Sequence, residues 1–470
     1  MRVMGWCALA ATLAATAALI GPAAAQEALQ QAAPVAGALP FDPDEATRQW
    51  LATMGPEATE RSNRYFEGGY AIQFVGAAIS IVIGMALMML GVAKGVRTWL
   101  EKTVRFYFLV ALGMGFFYTL ISTILTFPFS WYVGFVREHE FGLATQTFGA
   151  WFVEYLQANA IGLVIGSIAI ALLYLIIRAS KRTWWLWGTI AAIAFGVVIQ
   201  IAYPVYFAPI FNSFTPMAEG PLKTDILHMA QANGVPAHDV MVFDVSRQSN
   251  RVTANVSGFL ETTRISLSDT LIQRTSAGGV REVMGHEIGH YVLNHTVSIL
   301  VMFAVLYAVV FALANILFNW LAKGERWGVR DVSDPAGMPL LFAVIGFLFT
   351  LATPIQNNLI RFHEHQADIF GLNASREPDG FAETALLLSE YRKMEPSPFE
   401  LWFFYDHPSG YQRIHMAMTW KAHEMAAGRY PMGPGGPPPG WRPDFVVLRE
   451  DGTANAPPAP PAEPAPAASE

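Results

Sequence analysis

Charge is scarce in this chain. Of its 470 residues only 14% are charged and 53% are hydrophobic, whereas an ordinary soluble domain has about 25% charged residues. That balance excludes a protein that is soluble throughout and indicates one that sits in a lipid bilayer. Cysteine is nearly missing as well. The single one, Cys7, lies in the N-terminal leader, so the remainder can hold neither a disulfide framework nor a cysteine-ligated metal. Any metal must be bound by His, Asp or Glu. Positive charge is also lacking: the net charge is -7, which gives no footprint for nucleic acid and leaves it out as a partner.

What the chain has instead is long apolar runs. Six of them span roughly 69–93, 104–127, 157–177, 185–203, 296–320 and 338–360, each close to or above the ~20 residues that cross a bilayer as a helix. Ahead of them, residues 1–26 carry Arg2, an apolar stretch from Ala8 to Ile20 and Ala23-Ala24-Ala25. This is the pattern of a signal peptide, with an uncleaved first span as the alternative. Residues 27–67 read as a polar N-terminal segment and 68–203 as four membrane spans. Residues 204–295 read as an α+β segment and 296–360 as two further spans. A helical portion at 361–430 and a disordered Pro/Ala-rich tail at 431–470 follow. The expected fold class is a mainly α polytopic bundle with a small α+β, zincin-like catalytic insertion. Within that insertion Leu222 to Ala232 reads as a helix, and Val240–Phe243, Val256–Phe259 and Arg264–Leu267 as extended segments.

Loop charge suggests an orientation. Lys94, Arg97, Lys102 and Arg105 fill the first connection, Arg178, Lys181 and Arg182 the third, and Lys323, Arg326 and Arg330 the fifth. Basic loops stay in the cytoplasm. Residues 204–295 and those after 361 are therefore expected on the opposite face, the same side to which a signal peptide delivers residue 27.

The chemistry-bearing motif is His286-Glu287-Ile288-Gly289-His290. On a helix the two imidazoles share a face and can bind one metal ion, with Glu287 beside it as a base. A catalytic zinc site needs a third protein ligand. The chain leaves His290, crosses through 296–320, turns, and returns through 338–360. Residues just past Ile360 therefore emerge on the side of His290. There stands Arg361-Phe362-His363-Glu364-His365-Gln366-Ala367-Asp368. Spacing alone leaves the ligand open, because Glu364 and Asp368 share one face and His365 and Asp368 another.

Several linked segments then resemble the type I CAAX prenyl protease family of integral-membrane zinc metallopeptidases, and more distantly the HtpX proteases. Phe207 to Pro216 resembles a P-lF-N-k-f-T-P block. Ser249 to Phe259, with Asn255 and Gly258, resembles N-A-x-x-x-G-F, and Arg264 to Leu271 resembles r-I-v-l-x-D-T-L. The HExxH motif follows. Asn357/Asn358, Arg361, Glu364, Ala367 and Asp368 resemble N-x-x-R-x-x-E-x-x-A-D. His407-Pro408-Ser409 with Arg413-Ile414 resembles H-P-x-x-x-x-R-I, and Phe141 to Thr147 an upstream h-G-l-x-x-Q-T. The likeness covers about 60–420.

This resemblance implies one Zn2+ bound by His286, His290 and Glu364, with His363 and His365 as flanking surface residues. It implies Asp368 as the carboxylate behind a ligand histidine, Arg413 as its cation, His407 as an oxyanion partner, and Asn255 as a substrate-binding residue on an edge strand. His295 is left with a structural role. The expected function is peptide-bond hydrolysis by a membrane-embedded zinc endopeptidase, with Glu287 and His407 as catalytic residues and a polypeptide as substrate. The alternative is a non-catalytic metal-binding transporter or scaffold. The leader and the loop charges suit a bacterial inner membrane with the site toward the periplasm, and processing or quality control of exported or membrane proteins.

Overall fold

The computed structural model describes residues 39–258, 263–324 and 326–446. The leader at 1–26 lies outside them, as do Phe259 and most of the tail. Among the described residues six helices are long and apolar enough to cross a membrane: Gly55–Met89, Tyr107–Glu140, Phe148–Ala179, Trp184–Phe211, His295–Leu321 and Pro335–Ser375. In hydrocarbon every backbone N–H and C=O must be satisfied within the segment, which a helix does by itself.

We label the helices in chain order. Pro43–Ala52 is α1, Gly55–Met89 α2, Val92–Thr103 α3, Tyr107–Trp131 α4, Phe148–Ala179 α5 and Trp184–Ala202 α6. The spans containing α4 and α6 each continue through one π-helical turn, Tyr132–Val136 and Tyr203–Phe207. After the α+β segment come α7 (Pro221–Ala232), α8 (Asp269–Arg274), α9 (Ala277–Val292), α10 (His295–Leu321), α11 (Met338–Ser375), α12 (Pro378–Leu387), α13 (Pro398–Phe404) and α14 (Gly410–Ala426).

The spans close a ring. α2 packs on α4, α4 on α5, α5 on α6, α6 on α10, α10 on α11, and α11 returns to α2. Their buried core gathers at one end, around Met88, Leu100, Met114, Tyr174, Trp184, Phe318, Val329 and Met338. This is the end of the first, third and fifth connections. A buried ion pair pins it, with Arg97 Nη1 3.2 Å from Asp334 Oδ2. Away from that end packing thins out: α6 buries Trp184, Gly188 and Thr189 near its start and no residue beyond them. Helices that touch two neighbours yet bury little leave both faces free, one for lipid and one for the ring's interior.

The α+β segment forms a four-stranded sheet in the order β1-β2-β4-β3, where β1 is Phe214–Pro216, β2 Val240–Phe243, β3 Ala254–Ser257 and β4 Arg264–Ser268. β3 pairs antiparallel with β4, with Asn255 opposite Ser266. Ile265 and Leu267 of β4 meet Ile226 and Ala230 of α7 and Val280, Met284 and Ile288 of α9 in one apolar cluster. The sheet is thereby fixed against the helix that carries the HExxH motif.

Two expected segments differ from the structure. Residues 39–67, the described part of the polar N-terminal segment, are largely helical. Asp42 caps α1 and Pro43 opens it, and Trp50 is buried with Phe381, Leu386 and Met418. The helix α2 likewise starts at Gly55, well before its apolar run, because its polar turns bind the portion after α12: Ser62 Oγ donates to Arg392 O at 3.0 Å and Lys393 Nζ to Glu67 Oε1 at 2.7 Å. Residues 431–446, the described part of the tail, are also held by specific contacts. Trp441 sets its ring edge-on to Trp50 at 4.8 Å. Lys421 Nζ donates to Pro434 O at 2.8 Å, and Val446 N donates to Glu390 Oε1 at 2.5 Å. Glu390 itself pairs with Arg274 at 2.9 Å in a fully buried contact. One aromatic contact, two hydrogen bonds and one buried charge pair hold a segment whose Pro/Gly content suggests disorder.

Candidate active site

The site is built where α9 crosses α11. Ser276 caps α9 by accepting from Gly279 N. Further along, the two helices approach until backbone meets backbone. A Cβ on Gly371 would lie 2.9 Å from His286 N, and one on Gly285 would lie 3.0 Å from Gly371 O. A side chain at either position would push the helices apart and carry Glu364 out of reach of the histidines. The glycines thus set the site's dimensions.

At this crossing three side chains converge. His286 Nε2 and His290 Nε2 are 3.1 Å apart. Glu364 Oε2 is 3.2 Å from His286 Nε2, and Glu364 Oε1 is 3.5 Å from His290 Nε2. One ligand atom from each lies within 4.8 Å of the others. Glu364 Oε2 is buried and accepts no well-aligned hydrogen bond, so the three groups bring an unsatisfied carboxylate oxygen and two imidazole nitrogens into one small volume. A cation at that point satisfies all of them, and a His/His/carboxylate set suits zinc.

The electrostatics agree. Burial opposes a charged imidazole at His286, but the neighbouring Asp368 and Glu364 carboxylates outweigh it and push its pKa up to about 10. The site favours positive charge at that position, whether a proton or a metal ion carries it. Crowding by protein raises the Glu287 carboxyl above the usual carboxylate range, against the pull of His286 and His290. A carboxylate shifted in that direction is better matched to proton transfer near neutral pH.

Behind these three side chains, Asp368 is completely buried. It accepts from His286 Nδ1 at 2.8 Å and from Arg413 Nη2 at 2.5 Å. The acceptor orients the His286 ring and leaves Nε2 free to bind. Arg413 also lies over the Phe381 ring at 5.0 Å. His407 arrives from the turn after α13. Its Nε2 is 3.0 Å from Glu364 Oε2 and its Nδ1 2.8 Å from Asp406 Oδ1. The turn is held because Asn357 donates to Phe403 O at 2.8 Å and Arg361 to Tyr405 O at 2.9 Å.

His286, Glu287, His290, Glu364, Asp368, His407 and Arg413 therefore come together. Asn255 sits apart, exposed on β3. That strand is an edge of the sheet and packs against α9. His365 is exposed, as expected of a flanking residue. His363 is not a surface residue: it is 2% exposed, donates from Nδ1 to Leu359 O at 2.8 Å and accepts from Ser298 Oγ at 2.8 Å. Two neighbours of the site were not singled out in the sequence. Asp406, on His407, is signalled only by its adjacency. Glu282 is four residues before His286, on the same face of α9, and is 1% exposed.

Two family descriptions divide the chain between them. "CAAX prenyl protease N-terminal, five membrane helices" matches residues 45–213, and "Peptidase family M48" matches residues 216–421. A CAAX prenyl protease 1 homolog of Oryza sativa is 31% identical over 304 residues, 62% of this chain and 69% of that protein. The chain belongs to the CAAX prenyl protease family. It is a membrane-embedded metallopeptidase of the M48 type, a family of zinc-dependent enzymes, and the transporter or scaffold reading is not favoured. An uncharacterized metalloprotease of Bacillus subtilis, YhfN, is 26% identical over 368 residues, 77% of this chain and 86% of that one. The crystal structure of Ste24p from S. mikatae has the same fold, with a TM-score of 0.65 at 20% identity, covering 80% of this chain and 94% of that one. Within the region matched as five membrane helices, this chain has four helices long and apolar enough to cross.

Proposed function

We propose that His286, His290 and Glu364 hold a single zinc ion and that this member of the family cleaves polypeptides with Glu287 as the general base. The observation that carries this reading is the convergence of three ligand atoms within 4.8 Å, with Asp368 on the outer nitrogen of His286. Bound there, zinc supplies Lewis acidity that polarises the scissile carbonyl and acidifies water. Glu287 takes the proton from the attacking water and passes it to the leaving amine. His407, steadied through Nδ1 by Asp406, presents Nε2 to the oxyanion that develops on the carbonyl. Asp368 and Arg413 keep His286 fixed throughout. The free edge of β3 pairs with an extended substrate backbone, and Asn255 binds it there by adding a strand to the sheet.

The substrates on this reading are exported or membrane polypeptides, and the enzyme works in processing or quality control. The support is the loop charge, which favours the α+β segment and the residues after α11 on the face opposite the cytoplasm, together with the leader pattern, which suits a bacterial inner membrane. The test of the ligand set is a pair of substitutions. Glu364→Ala is expected to lose both zinc and casein cleavage, while His365→Ala keeps both. Equal zinc content in the two variants would refute the assignment.

A further inference from the structure

His286 and His290 are held from behind by different chemistry. The outer nitrogen of His286 meets a carboxylate. The outer nitrogen of His290 meets another imidazole, with His295 Nδ1 2.9 Å from His290 Nδ1. We infer that His295 is the positioning residue for His290, fixing its tautomer and ring orientation by accepting the Nδ1–H. The inference rests on the reading of His286, His290 and Glu364 as the metal ligands.

The proton count leaves one arrangement. His290 turns Nε2 toward His286 and Glu364, and a ligating nitrogen carries no proton. Its single N–H is therefore at Nδ1 and must be donated. The only way His295 can receive it is with a bare Nδ1, which places its own proton on Nε2. The opposite choice, a proton on His295 Nδ1, would force the His290 proton onto Nε2 and destroy the ligand.

The backbone explains how residue 295 reaches residue 290. A continuous helix would rotate it off the ligand face. α9 instead stops at Val292, and Asn294 adopts a left-handed conformation with φ 53. α10 then begins at His295 itself. The membrane span is re-aimed, and its first side chain folds back under the site. His295 is 3% exposed. On its far side it meets the His363 ring edge-on at 4.8 Å. His363 is locked in turn by the Leu359 carbonyl and the Ser298 hydroxyl. A chain of three imidazoles thus ties His290 to the heads of two membrane spans.

The chemical consequence concerns charge. A second carboxylate in this place would add negative charge at the metal and weaken its Lewis acidity. A neutral imidazole orients the ring without that cost. His295 touches no substrate, so its loss should lower zinc affinity and kcat while KM holds.

Asparagine and glutamine separate this role from simple space filling. The amide oxygen of Asn occupies the place of Nδ1, and that of Gln the place of Nε2. Zinc affinity of the full-length protein in detergent, read by chelator competition, is expected to stay within about threefold of wild type in His295→Asn. In His295→Gln and His295→Leu it should fall by about 10- to 100-fold, the usual effect of losing a partner behind a ligand. Asn and Gln behaving alike, whether both bind zinc or both fail to, would overturn the inference. So would wild-type affinity in His295→Leu. A His286→Ala control separates the two levels of the argument. If that protein still binds zinc with wild-type affinity, the ligand reading fails; if it loses zinc while His295→Gln does not, only the inference fails.

Discussion

Replacing Asp368 with alanine should damage the protein in two ways that a second substitution can pull apart. Asp368 has no exposed surface and accepts from both His286 and Arg413. Its removal leaves the Arg413 guanidinium buried without its carboxylate partner, and breaking such a pair costs about 3–5 kcal/mol. Glu282 also attracts Arg413, which argues for the lower end. Separately, His286 loses the acceptor on its outer nitrogen, which lowers metal affinity by about 10- to 100-fold, or roughly 1.4–2.7 kcal/mol. Adding Arg413→Met to Asp368→Ala removes the stranded charge, so thermal stability in detergent should largely return. Zinc affinity should not return, because nothing then holds the His286 ring. Chelator competition and thermal unfolding on wild type, the single variants and the double variant make the measurement. The reasoning is refuted if Asp368→Ala binds zinc within twofold of wild type, or if the double variant recovers affinity along with stability.

Glu282, buried on α9, has its carboxyl pushed up to about 7 by desolvation. Its folded-state value lies above the ordinary 4.5, so its contribution is full below pH 4.5 and is lost as pH rises to 7. In metal-stripped protein Glu282→Gln should remove that loss and gain about 3 kcal/mol at pH 8 over wild type; parallel stability curves for the two proteins at pH 5 and pH 8 would contradict it. For orientation, alkaline phosphatase fused after Arg429 should be active and green fluorescent protein at the same place dark; the reverse pattern would put the site in the cytoplasm.

Much of the fold is legible because a bilayer makes stringent demands. The runs at 296–320 and 338–360 carry no charge at all, and a segment like that has few alternatives to a span. The same two runs bring Glu364 back to His290, so the third ligand can be sought by topology before any geometry is known. The small sheet is also readable, since Val240–Phe243 and Arg264–Ser268 are short and β-branched between turn residues. What resists reading depends on backbone departures and on long-range contacts. His295 is dismissed by helical periodicity, and only the left-handed Asn294 restores it to the site. His363 looks like one more polar residue at a helix end until α10 covers it. The segment 431–446 has the composition of a linker, and its order comes from Trp441 on Trp50 and from Asp444 and Val446 on the buried Arg274–Glu390 pair, contacts between segments far apart in the sequence. α1 is a different kind of omission: Asp42-Pro43 with Asp44 and Glu45 is an ordinary helix start, visible in the sequence and short enough to pass as polar linker.

The central claim is that one zinc and one base act together at the crossing of α9 and α11. Glu287→Gln tests it most directly, because the substitution removes the base and leaves all three ligands in place. The purified variant should contain one zinc per chain, as wild type does, and show no cleavage of a casein substrate above the background of a zinc-free control. Cleavage at the wild-type rate with zinc bound would contradict the account.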